Sequence, residues 1–175
     1  MITKPQLTFL EALNTAASQL TVFRGRSRRS EFWWWALLIF VASFVLSINV
    51  RQYSVEESFL VIIEMLLMLT VTIRRLHDSG KSGLWLWLFL AFRISNQVYA
   101  SVSGVSWELR RINQAIFPAE SDYSQFVNLY GTELMIVRIL TLATLGLGIT
   151  VLIMCLVDSA PGDNKYGPSP KYIDE

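Results

Sequence analysis

Four apolar stretches, at about residues 32–50, 58–73, 84–105 and 135–157, constrain this chain more than anything else in it. An α-helix needs about 20 apolar residues to cross a hydrocarbon core of ~30 Å, and in lipid its backbone must bond to itself. The stretch 135–157 has that length outright. The stretch 32–50 enters through Phe32-Trp33-Trp34-Trp35, an aromatic belt suited to the membrane interface. The sixteen residues of 58–73 rise only ~24 Å, and snorkelling by Arg74 and Arg75 would extend them. The stretch 84–105 is apolar only to Phe92 and gains a crossing length by continuing through Arg93, Ser95, Asn96 and Gln97. A re-entrant or interfacial segment is its alternative. With 53% hydrophobic and 17% charged residues, a 175-residue chain holds more apolar surface than a soluble core of its size takes up. The predicted fold is an all-α integral membrane protein, a four-helix transmembrane bundle in a single domain.

Ahead of the first span, residues 1–22 read as an amphipathic helix. Thr8-Phe9-Leu10-Glu11 fits a capping box, and Leu10, Leu13, Ala17 and Leu20 follow at helical spacing. Such a helix lies in the membrane interface or packs on the rest of the domain. The segment lacks the continuous apolar core and small-residue cleavage pattern of a signal peptide. A single cysteine, Cys155, excludes an intrachain disulfide and a cysteine-based zinc site.

Charge is concentrated between the spans. Arg24, Arg26, Arg28 and Arg29 directly precede the first one, with Ser30 placed to cap the helix and Glu31 to favour its positive end. The stretch Arg74-Arg75-Leu76-His77-Asp78-Ser79-Gly80-Lys81-Ser82-Gly83 reads as a polar turn between the second and third spans. After the fourth span, 158–175 is a turn-rich tail with Pro-Gly and Gly-Pro steps. With the N-terminus inside, five Lys/Arg before the first span, three in the turn and two in the tail give ten on the cytoplasmic side. Arg51, Arg110 and Arg111 give three on the other. The excess predicts that both termini are cytoplasmic. The polar stretch 106–133 is expected to hold a short helix against the membrane.

Three charges fall inside spans: Arg138, one turn into the fourth and close enough to its end to snorkel, and two that lie deeper. Glu64 lies ten residues before Arg74, and Arg93 ten after Gly83. Across an antiparallel hairpin each is ~15 Å from the turn, at similar depth. Either charge alone is costly in lipid, so they are expected to pair, as a buried clamp or as part of a proton or ion relay. Thr144 with Gly148, and Gly146 with Thr150, form a small-residue spacing that allows close helix packing.

Three stretches carry a family resemblance: Phe23-Arg24-Gly25-Arg26-Ser27-Arg28-Arg29-Ser30-Glu31-Phe32-Trp33-Trp34, then Arg74 to Gly83, then Pro161-Gly162-Asp163-Asn164-Lys165-Tyr166-Gly167-Pro168. In these the chain resembles the YhaH/YhaI-like family of bacterial inner-membrane proteins, a domain of unknown function. The resemblance spans nearly the whole chain and implies an inner-membrane location. It implies no activity, substrate or catalytic residue. Arg93 inside the third span and the long 106–133 stretch depart from the pattern.

With this topology the three motifs share the cytoplasmic face. Arg24, Arg26, Arg74, Arg75, His77 and Lys81 then form a candidate site for an anionic lipid head group, since guanidinium forks and Gly-rich turns suit phosphate. The alternative is that the cations hold topology while the acids and turns hold the loops. Gly80-Lys81-Ser82 echoes a phosphate-binding loop, but Arg75 stands where its earlier glycine would fall. One histidine gives no metal-ligand set, and neither a cofactor motif nor a catalytic triad emerges. The expected function is that of a small membrane scaffold or interaction protein. An oligomeric transporter or channel using Glu64 and Arg93 and a membrane enzyme acting on lipid or phosphate at His77 are the alternatives. Expected partners are membrane lipids, anionic ones included, and a homo-oligomer or another membrane protein, not nucleic acid.

Overall fold

The computed structural model describes residues 2–49, 55–114 and 120–173. In chain order its elements are β1 (Ile2–Thr3), α1 (Phe9–Ser18), α2 (Arg29–Asn49), α3 (Val55–Asp78), α4 (Leu84–Val102), α5 (Val105–Gln114), α6 (Glu120–Leu156) and β2 (Tyr172–Ile173). The fold is helical apart from the two-residue ladder of β1 with β2. Among the described residues two helices are long and apolar enough to cross a membrane, α2 over Arg29–Leu46 and α6 over Asp122–Leu156. The stretch 58–73 lies on α3, whereas 84–105 follows α4 only to Val102 and then turns at Gly104 (φ +84°) before Val105 opens α5. Glu64, Arg74 and Arg75 on α3, and Arg93, Asn96 and Gln97 on α4, lower their hydropathy. Arg51 and Pro118 lie outside the described residues.

The chain forms two compact units, Met1–Leu86 with Val151–Glu175, and Trp87–Thr150. In the first, α1 starts on the expected capping box: the Glu11 amide donates to Thr8 Oγ1 (3.4 Å) and the Thr8 amide to Glu11 Oε2 (2.9 Å). The helix is shorter than the 1–22 expected from periodicity, because β1 pairs with β2 through Ile2↔Ile173 and Thr3↔Tyr172. Ala12 and Ala16 are buried, and their small side chains allow α1 to approach α2. Phe9 meets Trp34 edge-on at 5.3 Å. Trp35 Nε1 donates to the Leu67 carbonyl (3.0 Å), which ties α2 to α3.

Two boundaries differ from the sequence expectation. Helix α2 begins at Arg29, so Ser30 lies in its first turn and is not its cap. The entering chain is already fixed, with Ser27 N–H bonded to the Arg74 carbonyl and Arg28 bonded to the carbonyls of Pro5 and Pro170. Helix α3 continues through Arg74, Arg75, Leu76, His77 and Asp78, so the turn is confined to 79–83. It closes as a Schellman motif, with the Gly80 amide on the His77 carbonyl (3.0 Å) and the Lys81 amide on the Leu76 carbonyl (2.8 Å). Gly80 takes φ +74°, the left-handed conformation this cap requires.

In the second unit, α5 starts after Gly104 and buries Val105 and Ile112 against Phe126, with Leu109, Tyr130, Leu134 and Val137 around them. The fourth span and the end of the 106–133 stretch are one helix, α6, interrupted at Tyr130 (φ −118°, ψ 18°). Helices α4 and α6 touch where Phe89 covers Gly148 and where Asn96 Nδ2 donates to Thr141 Oγ1 (3.0 Å). Residues 89 and 96 are seven apart, as are 141 and 148, so the antiparallel register is constant between the two contacts. A Cβ at Gly148 would lie 3.1 Å from the Phe89 ring, whereas Gly146 has open space beside it.

Candidate functional site

The last turn of α3 holds the structure's main polar feature. Arg75 and Asp78 are three residues apart, share one face, and are fully buried. Asp78 Oδ2 accepts from Arg75 Nη1 and from Ser159 Oγ, and Asp78 Oδ1 accepts from Arg26 Nε at 3.0 Å. Two guanidiniums therefore share one carboxylate. Their remaining N–H groups are spent on backbone carbonyls. Arg75 donates to Cys155 (2.9 Å), Val157 and Ser27, while Arg26 donates to Gly162 (2.7 Å), Ala160 and Gly167. The carbonyls of Cys155 and Val157 lie at the C-terminal end of α6, where carbonyls lack helical partners and carry partial negative charge. Arg75 thus caps α6 as well as pairing with Asp78. The Ala160 amide on the Asp78 carbonyl (2.9 Å) completes the seam. Segments 23–31, 74–83 and 158–168 meet in this one buried knot.

Successive helical residues diverge by about 100°, and Arg74 accordingly points away from Arg75. Its Nη2 donates to Glu31 Oε1 (2.7 Å) and its Nη1 to Gln19, joining α3 to the first turn of α2 and the end of α1. At the surface Asp158 bonds Lys171 (2.7 Å) and Arg29 (3.0 Å). Lys171 and the Ser159 amide hold the Asp158 carboxyl below the usual range.

His77 occupies the rim of the knot. Its ring stacks on Tyr166, with centroids 3.7 Å apart and planes 7° apart, and Nδ1 lies 3.3 Å from the Gly25 carbonyl. Asn164 Nδ2 donates to the His77 carbonyl (3.0 Å). A Cβ at Gly83 would meet Ile73 at 3.2 Å and His77 Nε2 at 3.6 Å, so glycine lets this strand of the turn pass close to the imidazole. Burial lowers the pKa of His77, and the nearby Lys165 charge lowers it further. A histidine with a depressed folded pKa favours folding when neutral. That contribution is present above the unfolded value of 6.5 and is lost as pH falls below it. The melting temperature should therefore fall between about pH 7.5 and about pH 5.5, and a His77→Gln variant should lose that part of the slope.

The six candidate cationic residues separate into two groups. Arg26, Arg74 and Arg75 are buried and bonded within the fold, whereas Arg24 and Lys81 are exposed. His77 is half-buried between the two groups. Glu64 is half-buried on α3 in the first unit, and Arg93 is half-buried on α4 in the second. Sequence reasoning missed Ser159, Asn164, Tyr166 and Lys165. All four lie in the tail read only as a turn string, although three of them stand within the Pro161–Pro168 motif. Among the described residues no group of three or more His, Cys, Asp or Glu side chains is placed to hold a metal ion.

Fold and knot together define a helical protein, with two helices long and apolar enough to cross a membrane among the described residues, whose N-terminal segment and tail are fastened to the end of α3 by buried arginines. The chain belongs to the family described as Protein of unknown function (DUF805), whose model matches residues 20–168 and so contains all three knot segments. It is similar to Uncharacterized protein YiiR of Escherichia coli (strain K12), 28% identical over 162 residues, which cover 91% of this chain and 92% of YiiR. Inner membrane protein YhaH of the same strain is 37% identical over 76 residues (39% of this chain, 63% of YhaH). Inner membrane protein YhaI is 32% identical over 71 residues (38% of this chain, 60% of YhaI). No solved structure matches the chain.

Proposed function

We propose that this chain is an integral protein of the bacterial inner membrane with four spans and cytoplasmic termini, and that it serves as a small scaffold whose basic rim binds anionic lipid head groups. The names of YhaH and YhaI support the location. So do large outward-facing apolar side chains such as Phe40, Ile48 and Phe59, which are 62–70% exposed and need an apolar medium. The ten-to-three excess of Lys/Arg supports the orientation.

The observation that carries the head-group reading is the separation of cations around His77. Arg26 and Arg75 have spent their N–H groups inside the protein, while Arg24, Lys81 and Lys165 remain exposed. Each of the three adjoins or belongs to a segment in contact with His77: Gly25 at Nδ1, the 79–83 turn through the Gly80 amide on the His77 carbonyl, and Tyr166 on the ring face. A basic residue near an anionic membrane surface contributes about 1 kcal/mol. An Arg24→Ala/Lys81→Ala double variant should lose about thirtyfold in affinity for phosphatidylglycerol, measured by native mass spectrometry of nanodisc-released protein. Unchanged lipid occupancy in the folded double variant would contradict the reading.

A second reading is favoured by the placement of Glu64 and Arg93. Among the described residues, neither has an ion-pair partner within its own unit, and a lone charge on an apolar span is costly in lipid. We propose that they pair, as a clamp or as part of an ion pathway in an oligomer. Each single charge reversal should destabilise the protein, and the Glu64→Arg/Arg93→Glu exchange should restore much of the loss. A double variant no more stable than the worse single variant would rule the pair out.

A further inference from the structure

Gly162 belongs both to the knot and to an open cleft of about 420 Å3 in the same unit. Lys4 lines this cleft from the segment between β1 and α1, Asp163 from the start of the tail, and Pro168, Pro170 and Tyr172 from its end. The volume is within the range of small-molecule sites. Two arginines fasten the walls. Arg28 bonds the Pro5 carbonyl next to Lys4 and the Pro170 carbonyl (2.6 Å), and Arg26 bonds the carbonyls of Gly162 (2.7 Å) and Gly167. The Lys4 amide on the Lys171 carbonyl (2.9 Å) extends the β1–β2 ladder, and Ser169 Oγ accepts from the Lys171 and Tyr172 amides. A cleft shaped before its ligand arrives binds it at little cost in ordering.

The charges around this cleft fall into two sets. Asp158, Lys171 and Arg29 satisfy one another. Lys4 and Asp163 are exposed, and among the described residues neither side chain has an ion-pair or hydrogen-bond partner, in each other or elsewhere. Two unpaired charges of opposite sign in a cleft otherwise walled by proline and tyrosine rings complement a ligand that carries an anion and a cation on a short linker. The position of the cleft narrows the choice. Arg28 directly precedes α2, and Lys171 bonds Asp158, two residues beyond the end of α6. The cleft is thereby tied to one end of each helix long enough to cross a membrane, the level at which lipid head groups lie.

We infer that this cleft holds an aminoalkyl phosphate, the head-group chemistry of phosphatidylethanolamine, with the phosphate on Lys4 and the primary ammonium on Asp163. The site is separate from the basic rim and does not depend on it. Asp163 makes it selective. A primary ammonium donates charge-assisted hydrogen bonds to a carboxylate, whereas the trimethylammonium of phosphatidylcholine has no N–H to donate.

Native mass spectrometry of the full chain tests this, with the protein released from nanodiscs of equal parts phosphatidylethanolamine and phosphatidylcholine of matched acyl chains. Retention of phosphatidylethanolamine about fivefold above phosphatidylcholine is expected, the scale of one exposed charged contact. Asp163→Asn should abolish the preference and Asp163→Glu should keep it. Lys4→Gln should lower retention of phosphatidylethanolamine about fivefold. These substitutions change exposed side chains outside the knot, so the melting temperature should stay unchanged. Soluble phosphoethanolamine, added to the protein in a neutral detergent, separates the two sources of the ligand. Displacement of retained phosphatidylethanolamine shows that the head group alone suffices, and lack of displacement beside a clear lipid preference assigns the site to the bilayer lipid. Equal retention of the two lipids would overturn the proposal, and so would a preference that survives Asp163→Asn and Lys4→Gln together.

Discussion

Replacing Asp78 by alanine is expected to cost about 3–5 kcal/mol, enough to prevent most of the protein from accumulating in the membrane. The carboxylate is fully buried and receives bonds from Arg26, Arg75 and Ser159. Its loss leaves two guanidiniums buried without a counter-charge, which is far more costly than the loss of an exposed pair. Asparagine keeps the shape but loses the charge and replaces one of the two accepting oxygens by an NH2 group that faces donors, so Asp78→Asn should fall in the same range. Thermal unfolding of detergent-extracted protein, followed by tryptophan fluorescence, gives the comparison. An exposed pair provides the control: Glu108→Ala removes the partner of Arg111, an ion pair at the surface of α5, and should leave the melting temperature nearly unchanged.

The second large effect is expected at Arg75. Alanine there removes the partner of Asp78 and the donor to the Cys155 and Val157 carbonyls at the end of α6, again at a cost of about 3–5 kcal/mol. Lysine preserves the charge but reaches one direction where the guanidinium fork reaches several, so Arg75→Lys should recover only part of the loss. Because both residues belong to one network, the Arg75→Ala/Asp78→Ala double variant should lose clearly less than the sum of the single losses. Additivity would mean that the pair is not coupled.

Local signals in the sequence identified local structure. The Thr8–Glu11 capping box is complete within four residues, and it forms. The four apolar stretches each centre on a helix, although the third breaks at Gly104, where the sequence offered only a continuation through polar residues. The reading went wrong where structure depends on distant partners. Arg74, Arg75, His77 and Asp78 have the composition of a solvated turn, yet they continue α3, because their partners lie far along the chain: 52 residues from Arg26 to Asp78 and 80 from Arg75 to Cys155. No periodicity encodes such contacts. Ser30 has cap chemistry, but bonds from Ser27 and Arg28 set the start of α2 first. Neither proline nor a glycine pair interrupts 120–134, so α6 extends well before residue 135, and its irregularity at Tyr130 has no sequence mark beyond the adjacent Gly131. The three motifs identified which segments matter. Which of their cations turn inward became visible only through the carbonyls and carboxylates that receive them.

The division of the arginines into interior and rim is the claim on which the rest depends. Arginine-selective modification with phenylglyoxal, applied to the full chain in membrane vesicles and read by peptide mass spectrometry, tests it directly. Arg24 should react readily, while Arg26, Arg74 and Arg75 should stay unmodified until the protein is denatured. Equal modification of all four in the native protein would contradict the knot, and with it the assignment of the rim.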